Sequence, residues 1–110
     1  MTEDIKVRVG SSSNVFADLG LSNPEERLLK AELASKISSL IEQKNLTQIE
    51  AAELLGIDQP KVSALTRGRL EGFSAERLLR FLNALGSDVE IVVKPKPEDR
   101  SEAKITVVGN

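Results

Sequence analysis

The sequence predicts a mainly α domain of four to five short helices followed by one C-terminal β-strand. Three observations predict it. Apolar residues recur at three- and four-residue spacing within 29–41, 51–55, 62–65 and 78–85, the period of a helix with one buried face. Cap residues and glycines punctuate those runs. Only one later stretch, 88–94, alternates β-branched residues two apart.

The first 22 residues read as an N-terminal arm. Ile5 to Val9 alternates and suits a short strand, and Ser11 to Ser13 reads as a joint. Asn14 to Gly20 suits one capped helical turn. We expect it to be ordered, because Val15, Phe16, Leu19 and Leu21 are costly to leave in water; the alternative is a disordered arm. Asn23-Pro24-Glu25-Glu26 then gives a cap, a proline in the first turn and two acids at the positive end of the dipole. That helix should run to about Lys44, burying Leu29, Leu33, Ile37, Leu40 and Ile41.

Thr47 to Gly68 reads as two short helices joined by a tight turn. Thr47 and Glu50 form a capping-box pattern, and Ala51, Ala52 and Leu55 share one face. Gly56 suits a left-handed cap, and Ile57 re-enters the core. Asp58 can cap the second helix, with Gln59 and Pro60 in its first turn. Val62 and Leu65 should face inward. Gln59, Lys61, Ser63, Thr66 and Arg67 are left outward, and Gly68 ends the helix. Amides, hydroxyls and cations on one face are donors for base edges and phosphates, so this is a candidate helix-turn-helix. The alternative is an ordinary helical hairpin with a polar outside.

Arg69 to Phe73 reads as a loop, anchored by Phe73 and placing Arg69 near a backbone phosphate. A last helix follows to about Leu85, with Leu78, Phe81, Leu82 and Leu85 inward and Gly86 as its cap. The strand at 88–94 sets Val89, Ile91 and Val93 on one side and Val92 on the other. A lone strand needs a partner. One choice is the same strand of a second copy; the other is Ile5 to Val9. The second copy is preferred, because the helical part alone is small for a stable core. Val89, Ile91, Val92 and Val93 are then the dimerisation residues. The organisation expected is an arm at 1–22, a DNA-binding domain at 23–86, a dimerisation strand at 87–94 and a flexible tail at 95–110.

Composition narrows the chemistry. The 110 residues contain no Cys and no His, which removes disulfides, thiolate metal sites, the usual general base and the best nucleophile. We expect no enzyme, no cofactor and no metal. No apolar run approaches a membrane span and no signal peptide is visible, so a cytoplasmic protein is expected. The net charge is −2 and the pI about 5.2. Yet from Gln59 to Arg69 the charges are Lys61, Arg67 and Arg69 with no acid among them. A basic stripe on an acidic body can bind DNA through few phosphates, with a modest salt slope.

Thr47, Gln48, Glu50, Ala52, Leu55, Gly56, Ile57, Gln59, Val62, Ser63 and Gly68 together resemble the Cro/repressor-like (XRE-type) helix-turn-helix family. The resemblance implies a Cro/repressor-like helix-turn-helix domain that binds double-stranded DNA. It implies a phosphate contact at Gln48 and a base contact at Gln59. We extend the base-contacting set to Lys61, Ser63 and Thr66, and the phosphate-contacting set to Thr47, Arg67 and Arg69. The chain departs from the family pattern at Ala64, often Arg or Lys, and at Thr66, often Glu. From about Asn14 to Lys94 it also resembles a HigA-like antitoxin subgroup. That likeness implies a homodimeric repressor on a palindromic operator, autoregulating an operon shared with a small HigB/RelE-type toxin. The alternatives are a protein-interaction module that neutralises a toxin, through the segment around Phe16 or through Ala103 to Val108, and a stand-alone repressor.

Overall fold

The structure is a computed structural model that describes residues 23–95, the backbone of strand 5–8, Glu98 and Val107. Its elements are β1 (Ile5–Arg8), α1 (Asn23–Gln43), α2 (Gln48–Leu55), α3 (Gln59–Thr66), α4 (Ala75–Ala84) and β2 (Glu90–Val93). The four helices lie where the apolar periodicity placed them. The helical turn expected at 14–20 falls outside the described residues. Among the described residues, no helix is long and apolar enough to cross a membrane.

α1 is the spine. Its Leu29, Leu33, Ala34, Ile37 and Ile41 form one buried stripe, and α4 and α3 pack along it. Ile37, Val62 and Leu78, from α1, α3 and α4, are each 0% exposed and meet in the same core. Aliphatic residues fill most of that core, with Phe73 and Phe81 as its buried rings. The two rings meet edge to face, 6.0 Å apart at 77°.

All four helices end alike. The N–H five residues beyond a carbonyl folds back to it: Leu46 to Ile41 at 3.1 Å, Ile57 to Ala52 at 3.0 Å, Arg69 to Ala64 at 2.9 Å and Ser87 to Leu82 at 2.9 Å. This closure needs a left-handed residue just before the returning N–H. Glycine supplies it at 56, 68 and 86; after α1 it is Asn45, at φ 54°, a residue type that tolerates this region.

β2 pairs antiparallel with β1 of the same chain, Ile5 opposite Val93 and Arg8 opposite Glu90. This is the second of the two partners named from the sequence, and it occupies one edge of β2. A strand on the same chain needs no second molecule, so its effective concentration is higher. The expected dimerisation residues lie in different surroundings. Val89 and Ile91 pack against the helical core, Val93 is half-buried and Val92 is exposed. Of the tail at 103–108, Val107 is described. It is held on α1, donating its N–H to Glu32 Oε2 at 3.1 Å and packing on the core.

Ile37→Ala should lower the unfolding free energy by about 3 kcal/mol, as a cavity at a fully buried site does. Leu28→Ala, at a position on the same helix that is 55% exposed, should change it by less than about 0.5 kcal/mol. Urea unfolding of both variants measures the contrast.

Candidate nucleic-acid interface

α2 and α3 form an elbow fixed by three local devices. At the start of α2, Thr47 is extended (φ −74°, ψ 166°) and its Oγ1 accepts the Glu50 N–H at 3.1 Å. The Thr47 N–H donates in return to Glu50 Oε1 at 2.9 Å. The capping box read from the sequence is therefore complete, and it satisfies two otherwise orphaned donors. Those hydrogen bonds from Thr47, the backbone one foremost, hold the Glu50 carboxyl below its ordinary value.

At the turn, Gly56 has φ 71° and ψ 31°. A Cβ there would meet nothing within 4 Å. Glycine is needed for the backbone conformation, not for space. At the start of α3, Asp58 is extended and its Oδ1 accepts the Lys61 N–H at 3.0 Å. The Val62 N–H returns to the Asp58 carbonyl at 3.1 Å, and Pro60 has no N–H to satisfy. The first turn of α3 is thus closed largely by its own residues.

Val62 and Leu65, 0% and 1% exposed, fasten α3 to the core. Everything else on the helix is left at or near the surface. Gln59, Lys61, Thr66 and Arg67 are exposed and Ser63 is half-buried, so none of the expected base readers is sealed inside. Their surroundings differ. Lys61 and Gln59 line the open groove inside the elbow, together with Ile49, Glu53, Gly56 and Ile57. Thr66 donates its hydroxyl to the Ser63 carbonyl at 3.1 Å, so that proton is engaged within the helix.

The expected phosphate contacts flank this face. Gln48 is exposed at the start of α2, and Arg67 and Arg69 are exposed at the end of α3. The Thr47 main-chain N–H is taken by Glu50, so that residue serves first as a cap. Arg69 opens a loop whose far end is anchored by Phe73, 5% exposed. The Arg77 guanidinium lies 5.5 Å from the ring centroids of both Phe73 and Phe81, which is cation–π range. Arg77 stands in the first turn of α4 behind the Ser74 cap, where the dipole disfavours a cation; the two rings offset that. Sequence reasoning named Arg77 only as a bracket of the helix start. The signal for its second role is the spacing of Phe73, Arg77 and Phe81, four residues apart each time. Ile49 and Leu54 of α2 are both half exposed, Ile49 at the elbow groove.

Residues 15–94 match the helix-turn-helix domain family. A solved structure assigned to the XRE family of transcriptional regulators is 50% identical, covering 81% of this chain and 100% of its own, with a TM-score of 0.78. No curated protein matches the chain.

Thr47→Ala should cost about 1 kcal/mol of stability through the lost cap. The Glu50 share should depend on pH. Its folded value is depressed, so its contribution is complete above the unfolded carboxylate value and is lost as pH falls through the lower folded one. Glu50→Gln keeps a side-chain acceptor without the charge. Urea midpoints at pH 6 and pH 3 should therefore fall less for this variant than for the wild type.

Proposed function

The chain belongs to the XRE-type helix-turn-helix family of DNA-binding transcriptional regulators, and from that membership we propose that it acts as a dimeric, operator-binding repressor. One observation carries the reading. α3 is fixed to the core by two side chains and shows the solvent a face without acids, Gln59 to Arg67, with Arg69 beside it. On this reading Gln59, Lys61 and Ser63 read base edges in the major groove, with Thr66 beside them. Gln48, Arg67 and Arg69, with Thr47 supporting, fix the register on phosphates. Two copies related by a two-fold axis would meet half-sites of a palindrome roughly 34 Å apart. Since β1 occupies one edge of β2, a second copy would extend the ribbon at an outer edge, beside the exposed Val92.

The operon role rests on the resemblance of residues 14–94 to HigA-like antitoxins. On that reading the chain is cytoplasmic, represses its own promoter and binds a small HigB/RelE-type toxin encoded beside it. Co-purification with the neighbouring gene product tests this part. Its failure leaves a stand-alone repressor.

Gln59→Ala should flatten discrimination among operator variants by about 1–3 kcal/mol. Arg69→Ala should weaken every duplex alike and lower the salt slope by about one charge. Binding isotherms over a panel of duplexes at several salt concentrations separate the two; identical behaviour refutes the division of roles. Sedimentation of the free protein should show a dimer.

A further inference from the structure

The rotation of α3 is set by what it buries. At about 100° per residue, Val62 and Leu65 lie about 60° apart, and the direction opposite their midpoint falls between Pro60 and Arg67. Ser63 and Ala64 stand on either side of that direction, each about 50° away. Lys61 and Thr66 lie much closer to the buried side. Lys61 is exposed beside Gln59 at the elbow groove, and Thr66 is exposed with its hydroxyl bonded to its own helix. Pro60 is exposed and Ala64 half-buried. The outward half of α3 therefore carries Pro60, Ser63, Ala64 and Arg67, and two of these four, Pro60 and Ala64, are small apolar groups.

We infer that Pro60 and Ala64 are specificity-determining residues that recognise the C5-methyl groups of thymine. This deepens the repressor reading and rests on it. Neither side chain can donate or accept a hydrogen bond, so neither can read an amide, amine or carbonyl edge. The apolar feature that the major groove offers is the thymine methyl, which small apolar side chains contact. Pro60 and Ala64 are one turn apart, about 5–6 Å between Cβ atoms, which spans one to two base steps of about 3.4 Å each. Each half-site should therefore hold one or two thymines, adjacent or one step apart, facing this pair. Gln59 and Ser63 supply the hydrogen bonds beside them.

The test changes the DNA and leaves the protein intact. A duplex is selected from a random pool with the full chain, and its thymines are replaced one at a time by deoxyuridine, which pairs identically but lacks the methyl. Affinity should fall roughly fourfold per contacted methyl, at one or two thymines in each half-site and nowhere else. Ala64→Gly, with its fold checked by circular dichroism, should lose the sensitivity at one of those thymines and keep the rest. A selected duplex bound with indifference to every deoxyuridine overturns this inference and leaves the repressor reading standing. Failure to enrich any duplex overturns both.

Discussion

Val62 and Leu65 are the constraint on which the rest depends. Each contributes about 1.5–3 kcal/mol on burial. More consequential is their direction, because a helix of eight residues fastened at two points three apart cannot rotate. What α3 shows to a partner is decided by what it hides from water. Ile37 and Leu78 complete the socket from α1 and α4, so the outward face of α3 is positioned by buried residues of other helices.

The helix ends carry the same logic into the loops. Asp58 and Thr47 satisfy amides at the two starts flanking the elbow, and a left-handed residue closes every helix. Short helices are marginal alone. Here the terminal groups that would fray them are paired with backbone or side-chain partners within a few residues. The Arg77 clamp on Phe73 and Phe81 does for the 69–73 loop what the caps do for the helices. It ties a connection that carries a cation to the rigid part of the molecule.

Most of this was legible because it is local. Thr47 with Glu50, Gly56, Asp58 before Pro60, and Ser74 each announce a helix boundary within four residues. The inward pairs Val62–Leu65 and Leu78–Phe81 follow from helical period alone. The partner of β2 was not legible. Alternation in 88–94 tells which side chains share a face and says nothing about which strand lies alongside, and two candidates had equal chemistry. The outward residues of α3 were legible as a set but not in rank. Polar side chains announce themselves as donors, whereas Pro60 and Ala64 carry no hydrogen-bonding side chain to mark them.

The ribbon has a kinetic corollary. Arg8 stands opposite Glu90, so almost the whole domain must be folded between the two strands. Pairing across so long a loop carries a closure entropy that the helices, built from near neighbours, do not face. On a ribosome, the N-terminal strand emerges first and must wait until β2 has left the exit tunnel. The bundle can assemble in the meantime, which makes the ribbon a late addition and its unzipping an early step in any loss of structure.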